Sequence, residues 1–481
     1  MARPAHPLAR TVLTLSLAAL AASALAQPGE KPLRLTPMLA QPPVMVPEEP
    51  EPTSHWAAQA ERWQPGSDAC GAAQSPPWER LTLGDALALT LCKSPTLRQA
   101  IAEIAAQSAN VELGEVAFWP SWNANLEYSS ARNFNSTGSS GRTLGASVGL
   151  SWALFDFGQR SAGLREARFG LAAAMASQGN ALLESVREVT RLYGEAVVAS
   201  AALDAAIEAE ATATQTAAAA QARHEAQVGS QIDRLQAQTA LAQATLERVR
   251  AQSSWENARG KMALALGGDV EQPLRLAEWS AWTRPGKELP DLAQLRREAR
   301  SQHPKLRTAQ AQVDALQARL DALQAQARGS VTVSASGGSS RNWGAAGTGN
   351  IPTANAAVIA SIPLFNGRES SAQQAQVMAQ KSTKEAELET TRRDVDSQLW
   401  QAHQALLTSR QSLLASERLL VSASGTYRVA QGRYKAGVGS VLELLNAQSA
   451  LADARRQRVT ALVDQLTART QLGLAAGRAG L

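Results

Sequence analysis

Long apolar segments are missing from most of this 481-residue sequence. After residue 26, no uninterrupted apolar stretch approaches the ~20 residues that an α-helix needs to cross a bilayer. A helical membrane protein is therefore not expected. If the chain enters a membrane, it must do so as strands closed into a barrel, because lipid offers the backbone no hydrogen-bonding partner.

Residues that carry catalysis or hold metals are also few. The five histidines are scattered, at positions 6, 55, 224, 303 and 403, and His224-Glu225 is not followed by the second histidine of a zinc-protease helix. No glycine-rich phosphate loop follows a predicted strand, and no cysteine pair has zinc-site spacing. We predict that the protein is not an enzyme and uses no metal or cofactor. Its formal net charge of +5 comes from interleaved basic and acidic residues, so nucleic-acid binding is not expected either.

The N-terminus has the order of a secretory signal peptide. Arg3 and Arg10 precede an apolar run that ends in Ala24-Leu25-Ala26, so the mature chain is expected to begin near Gln27. No cysteine stands at that point, and N-terminal lipid attachment is not indicated. Export implies an oxidising compartment, in which the only two cysteines, Cys70 and Cys92, are disulfide candidates. Two buried free thiols are the alternative.

Proline divides the chain. Most of the 21 prolines lie at or before Pro77, which indicates a proline-rich arm, whereas residues 121–272 and 364–481 contain none. Because proline breaks helix interiors, those two blocks can hold unusually long helices.

Three matches in the same order indicate a tandem duplication. Residues 94–100 align on 303–309, residues 154–158 on 364–367 with one deletion, and residues 223–241 on 433–451 without gaps. The predicted organisation is a signal peptide (1–26), an N-terminal arm (27–80), a first repeat (81–272), a connecting equatorial segment (273–290), a second repeat (291–476) and a C-terminal tail (477–481).

Each repeat is predicted to run through a helix, two strands, a long helix and a return helix. The first helix, Leu83 to Phe118, has apolar residues at three- and four-residue spacings. The strands alternate strictly and have about the 10-residue length of tilted membrane strands. The first-repeat strands cover Ser121 to Ser129 and Thr143 to Trp152, and those of the second repeat centre on 330–336 and 356–362. Polar loops are expected at 129–142 and 337–353.

Aromatic residues favour a membrane barrel over a soluble hairpin packed on a core. They cluster at the strand ends next to the helices, where an interfacial girdle belongs: Trp119, Trp122, Trp152, Phe155, Phe157 and Phe365. The apolar face of the first strand carries Trp122, Ala124, Leu126 and Tyr128.

The long helices are expected at Gly158 to about Val228 and Gly367 to about Gly437, roughly 105 Å each at 1.5 Å per residue. The return helices are expected at 230–266 and 440–474. Heptad-like spacing predicts a coiled-coil seam along each return helix. The seam residues would be Ile232, Leu235, Thr239, Ala242, Leu246 and Val249, and Leu442, Leu445, Ser449, Ala452, Arg456 and Val459.

Four membrane strands leave two open edges, and unpaired backbone groups in hydrocarbon cost several kcal/mol each. The chain must therefore oligomerise. Two copies would give eight strands with a filled interior, whereas three would give twelve strands and a lumen. The sequence alone does not fix the number.

With these parts, the chain resembles the TolC family of outer-membrane channels over roughly residues 81–474. The most specific match is Arg433-Tyr-Lys-Ala-Gly-Val-Gly-Ser440 followed by Leu444-Leu-Asn-Ala447. The resemblance implies a mixed α/β membrane protein, in which a trimeric 12-stranded transmembrane β-barrel is continued by a long periplasmic α-helical coiled-coil barrel. It also implies partners: outer-membrane lipid, a periplasmic adaptor (membrane fusion) protein and an inner-membrane pump.

In the family, the periplasmic mouth is held closed by a tyrosine, an aspartate and an arginine, and is lined by carboxylates. The resemblance implies gate roles for Tyr434 and Asp233, whereas Gly439 stands where the arginine is expected. At the carboxylate positions stand Glu443 and Asn446. We expect a weaker cation-attracting constriction made by three copies of Glu443, unless that residue is an ordinary solvated helix charge.

The turns between long and return helices are expected to dock the adaptor. Glycine there tolerates the positive φ of a chain reversal, and Ser230 and Ser440 are expected N-caps. The family usually has a glycine at Gln227 as well. The docking residues implied by the resemblance are Val228, Gly229, Ser230, Gly437, Val438, Gly439 and Ser440.

The cargo is the open question. Many drug-efflux members are lipid-anchored at a cysteine after the signal, where this chain has Gln27. That departure, with the cysteine pair, resembles protein-secretion members and favours type I secretion of a large protein such as an RTX toxin or adhesin. An ABC transporter is then favoured over an RND pump. Multidrug or small-molecule efflux is the alternative, and a periplasmic coiled-coil adaptor or scaffold is a distant one that leaves the strands unexplained.

Overall fold

The computed structural model of the protein describes residues 78–132, 140–271, 273–277, 291–344 and 347–478. The predicted signal peptide, the arm up to residue 77, Cys70 and residues 479–481 lie outside this part. Cys92 lies inside it, so its pairing with Cys70 stays a prediction. Among the described residues, no helix combines the length and the apolar composition that crossing a bilayer requires.

The same order of elements occurs twice. After a 3₁₀ turn at Trp78–Arg80, the first set comprises α1 (Leu83–Lys93), α2 (Pro95–Val116), β1 (Ser121–Arg132), β2 (Ser140–Phe155), α3 (Gln159–Glu225) and α4 (Gln231–Ala265). The second comprises α5 (Leu292–Gln302), α6 (Pro304–Gln326), β3 (Ser330–Gly344), β4 (Gly347–Ser361), α7 (Glu369–Lys435) and α8 (Val441–Ala475).

The predicted single helix from Leu83 to Phe118 is wrong, because the chain breaks between α1 and α2. Pro95 has no N–H to donate and disfavours a helical conformation at the residue before it. Ser94 accordingly has φ −58° and ψ 124°. His303 before Pro304 repeats the break, with φ −62° and ψ 125°.

The four strands form one antiparallel sheet in the order β1-β2-β3-β4. They contain 12, 16, 15 and 15 residues and are longer than predicted. Most of the polar segments at 129–142 and 337–353 that we expected to be loops continue the strands. Backbone hydrogen bonds between strands do not depend on side-chain polarity. A segment rich in Ser, Gly and Asn can therefore pair with a neighbouring strand as regular sheet.

The two faces of the sheet differ as predicted. In β2, Leu144 and Val148 are about half exposed, at 47% and 46%. Thr143 and Ser147, which precede them and point to the other face, are less exposed. On the same face, Leu126 is 86% exposed and pairs with Ala146. We call this apolar side the outward face. The opposite, inward face carries small and polar residues, and Glu127 is the only charged residue on it among the described strand positions.

The predicted long helices are confirmed. Helices α3 and α7 have 67 residues each, about 100 Å at 1.5 Å per residue, and the return helices α4 and α8 have 35 each. A Cβ on Gly194 of α3 would lie 2.8 Å from the Val463 side chain of α8. Helices from the two repeats therefore pack closely against each other.

In the single chain, the row that packs against the chain's own helices is mostly not the predicted seam, whose contact with other copies stays a prediction. All six seam residues of α4 are exposed in the single chain, and in α8 only Val459 is buried. The row of α8 that packs inside the chain is instead Val441, Leu444, Ala447, Leu451 and Ala454. A helix in a closed ring of helices has a neighbour on each side and thus two contact rows. The spacing alone could not tell which row faces the chain's own helices.

Near the middle of the helical part, the two repeats meet around His303. This residue is 3% exposed and caps α6, where its Nδ1 accepts a hydrogen bond from the Lys305 amide at 3.2 Å. Burial, helped by Lys305 and Arg187, lowers the pKa of His303 to about 4. Asp396 on α7 binds Arg296 and Arg300 of α5, and their hydrogen bonds hold the pKa of that carboxyl at about 2.

The buried His303 should make the protein acid-sensitive. Between pH 6.5 and pH 4, the unfolded chain binds a proton at this site that the folded chain does not, so stability present above pH 6.5 is lost as the pH falls. The loss is on the order of 3 kcal/mol per chain. Replacing His303 by Asn keeps a capping side chain and should flatten this part of the pH profile.

Thermal midpoints of the purified protein at pH 7.5 and pH 4.5 test this expectation. The Asp396 carboxyl does not affect this comparison, because the stability that it contributes is lost only below its ordinary pKa of 3.8. An equal drop in midpoint for the wild type and His303→Asn would contradict the assignment.

Candidate functional site at the helix-turn tips

The first tip, residues 226–230, joins α3 to α4 through a tight reversal. Gln227 takes the left-handed conformation, with φ 59°, and the Val228 amide donates to the Arg223 carbonyl at 3.0 Å. This is a Schellman-type end that satisfies carbonyls left free at the helix terminus. Ser230 then caps α4 by accepting from the Ile232 amide at 3.2 Å.

The second tip, residues 436–440, repeats this geometry with a better-suited residue. Gly437 has φ 78°, the Val438 amide donates to the Arg433 carbonyl at 3.0 Å, and Ser440 accepts from the Glu443 amide at 3.1 Å. Both serines are N-caps, as expected.

Two of the tip glycines do not have the backbone conformation predicted for them. Gly229 and Gly439 do not have positive φ. A Cβ on Gly229 would lie 2.9 Å from the Arg223 Cβ, and one on Gly439 would lie 3.0 Å from the Arg433 Cβ and from the Tyr434 amide nitrogen. Close approach to the preceding helix, rather than backbone conformation, therefore requires glycine at these two positions.

Tyr434 connects the two tips. It is 8% exposed and packs with Ala217 and Ala220 of α3 and Ala237 of α4. The Arg223 guanidinium lies 4.4 Å from the centre of the Tyr434 ring and donates to the Tyr434 carbonyl at 2.8 Å. A cation over an aromatic face, combined with a charge-assisted hydrogen bond, is a favourable contact in a partly desolvated place.

Asp233 was expected to act with Tyr434 at the gate, and this role stays a prediction. Asp233 lies in the first turn of α4, where a carboxylate is favoured by the helix dipole. No hydrogen bond joins Asp233 to Tyr434 within the described residues. The basic residue on Tyr434 is Arg223, from the end of α3, and not a residue at position 439.

Glu443 has a basic partner of its own. Its Oε1 lies 3.3 Å from the Arg433 Nε, and both side chains are about half exposed, at 43% and 52%. Asn446, one helical turn further along α8, is exposed. An exposed ion pair contributes little stability, but it sets the local charge, because Arg433 offsets the carboxylate that was expected to act alone.

Arg223 was missed by the sequence analysis, although a signal was present. Residues 223 and 433 align in the duplication, and both are arginines at the end of a long helix. Their equivalence could have marked Arg223 as a tip residue. Its contact with Tyr434 could not be predicted, because it spans 211 positions in the sequence.

The comparisons with known proteins agree on one family and one fold. The outer membrane efflux protein family matches residues 86–268 and 295–478. Protein CyaE of Bordetella pertussis is 35% identical over 420 residues, which cover 84% of this chain and 86% of CyaE.

Solved structures show the shared fold. The Campylobacter jejuni CmeC outer membrane channel matches with a TM-score of 0.73 at 15% identity, over 83% of this chain and 86% of CmeC. The open state of the Neisseria gonorrhoeae MtrE outer membrane channel matches with a TM-score of 0.69 at 19% identity, over 82% and 89%.

The left-handed positions of the two tips should respond in opposite ways to substitution. Gln227→Gly removes a strained side chain and should stabilise the first tip by about 0.5–1 kcal/mol, whereas Gly437→Ala should weaken the second by a similar amount. Hydrogen exchange of the Val228 and Val438 amides reports each tip separately. We expect roughly 2- to 5-fold slower exchange at Val228 in Gln227→Gly, with Val438 unchanged as the internal control. Faster exchange at Val228 would contradict the strain assigned to Gln227.

Proposed function

The chain belongs to the outer membrane efflux protein family, and from this premise we propose that it is the outer-membrane channel of a type I secretion machine that exports a large protein. Family membership makes it a transport channel of the outer membrane with a periplasmic helical extension. It removes the alternative of a periplasmic adaptor or scaffold. The type of cargo is the part that we propose.

The architecture explains how such a protein conducts. Strands β1 and β4 are the two edges of the four-stranded sheet, and three copies joined edge to edge give a closed barrel of 12 strands. The exposed apolar face then meets lipid, and the small polar face lines a water-filled lumen. Helices of about 100 Å continue that lumen toward the inner membrane.

The closer similarity to CyaE is the single observation that carries the cargo proposal. The chain is 35% identical to that protein, whereas its identity to the CmeC and MtrE channels is 15% and 19%. The two cysteines, Cys70 and Cys92, also support protein secretion, since they resemble the cysteine pair of the protein-secretion members of the family. A machine of this kind needs a periplasmic adaptor, and we propose an ABC transporter rather than an RND pump as its inner-membrane partner.

Deleting the gene should remove one or a few large proteins from the culture medium. Growth-inhibitory concentrations of a drug panel should stay within about two-fold of the parent, because a dedicated secretion channel does not serve drug pumps. Quantitative mass spectrometry of the medium and a susceptibility panel measure the two outcomes, and re-expression of the wild-type chain is the control. An unchanged secreted protein set with lowered drug tolerance would favour the efflux alternative instead.

For the gate, we propose that the periplasmic mouth is formed by the second tip, with Glu443 and Asn446 toward the lumen. The expected cation attraction by Glu443 is moderated by Arg433, because the two side chains are ion-paired. Three-fold symmetry repeats this pair three times around the axis. Arg223, bound to Tyr434, ties the second tip to the first and so opposes its outward movement.

Substitutions of the two partners should shift ion selectivity in opposite directions. Arg433→Gln leaves three unpaired carboxylates and should raise the cation preference, whereas Glu443→Gln leaves three guanidinium groups and should lower or reverse it. Reversal potentials in a salt gradient across planar bilayers measure this preference, and Asn446→Asp is a matched variant that adds a carboxylate one turn away. Identical selectivity in both variants would show that Glu443 is only a solvated helix charge.

A further inference from the structure

Three arginines lie on the outward face at the end of the sheet farthest from the helices. They are Arg132 on β1, Arg142 on β2 and Arg341 on β3. Between β1 and β2, Ser130 pairs with Arg142 and Arg132 pairs with Ser140. Between β2 and β3, Arg142 pairs with Trp343 and Leu144 pairs with Arg341. Each arginine is therefore a diagonal neighbour of the next, about 7–8 Å away between Cα atoms. The duplication relates Arg132 to Arg341, which lie 209 residues apart like Ser94 and His303, and Arg142 has no such counterpart.

These side chains are free to bind something outside the chain. All three are exposed, and none has an ion pair or hydrogen bond in the part of the chain that the structure describes. They are also the only charged residues at the outward-facing positions of the described strand segments, which are otherwise apolar, small or uncharged. No carboxylate at those described positions offsets their charge.

The depth of the three arginines follows from strand geometry. Trp152, whose indole N–H donates to the Phe118 carbonyl at 2.9 Å, lies at the strand end next to the helices, where the aromatic girdle of a membrane barrel belongs. Arg142 lies ten residues before it in β2. At about 3.4 Å per residue and a tilt of about 40°, this places Arg142 roughly 26 Å farther out, which is the height of the apolar band of a membrane barrel. The arginines thus reach the headgroup level of the outer leaflet.

Two aromatic residues complete the surface. Tyr128 is 65% exposed and pairs with Leu144, and Trp343 is 36% exposed and pairs with Arg142. Tyrosine and tryptophan on a lipid-facing surface are typical of the zone where acyl chains meet headgroups. A ligand held here would present an acyl part to the apolar band and an anionic part to the arginines.

We propose that Arg132, Arg142 and Arg341 form a binding site for the phosphate groups of an outer-leaflet glycolipid, repeated three times around the channel. Guanidinium groups bind phosphate through paired, charge-assisted hydrogen bonds, and three on neighbouring strands match a headgroup with more than one phosphate. The lipid face and its flanking aromatics favour a headgroup over a soluble anion. The bound lipid would brace β1, β2 and β3 of each copy against one another at the outer rim.

Titration of the detergent-purified full-length protein with bisphosphorylated lipid A, followed by native mass spectrometry, tests the proposal. The wild type should retain the lipid and bind the enzymatically dephosphorylated lipid much more weakly. Arg132→Gln, Arg142→Gln and Arg341→Gln together should weaken binding of the phosphorylated lipid roughly 100-fold, at about 5-fold per arginine. The triple Arg→Lys variant keeps the charge and should fall between the two.

Three exposed helix arginines, replaced together as Arg297→Gln, Arg307→Gln and Arg418→Gln, give a variant of equal net charge and should bind like the wild type. Equal binding of the phosphorylated and dephosphorylated lipids by the wild type would overturn the proposal, even if the strand variant failed to assemble. Inorganic phosphate that competed at the same concentration as the lipid would assign the arginines to a free anion, and so would also overturn it.

Discussion

The two unpaired edges of the four-stranded sheet are the constraint on which the rest of the molecule depends. In hydrocarbon, the free N–H and C=O groups of β1 and β4 have no partner except another strand. A copy that stands alone therefore cannot remain in a membrane, and the barrel exists only as an assembly. The helices depend on the same closure, because α3 and α7 begin only four and eight residues after β2 and β4 end. Closing the sheet gathers them into a ring.

Regular features with a short period could be predicted from the sequence. Alternation over two residues fixed the outward side of β1 and β2, and the proline-free blocks located both 67-residue helices within a few residues. Strand ends could not be found in this way, because residues 337–344 and 347–353 are mostly polar or glycine on both faces and only their pairing shows that they are sheet. The row that α4 presents to its own chain was equally hidden, since both sides of a ring helix make contacts.

At the tips, too, contacts between residues close in sequence could be predicted and contacts between distant residues could not. The caps Ser230 and Ser440 depend on neighbours two and three residues away, so the sequence was enough to find them. The contact between Arg223 and Tyr434 depends on how two distant helices meet. A resemblance to a family transfers positions such as Asp233, whereas the contact of Tyr434 with Arg223 is visible only in how α3 packs against the second helix pair.

Duplication followed by divergence explains why the proposed gate is asymmetric. Arg223-His224 and Arg433-Tyr434 occupy equivalent positions in the duplication. Arg433 now pairs with Glu443 in its own helix pair, while Arg223 reaches across to Tyr434. One arginine sets the charge of a tip and the other links two tips. In the proposed gate, moving the second helix pair outward would break the link of Arg223 but carry the pair of Arg433 along unchanged, so opening and selectivity would be controlled by different residues of one duplicated motif.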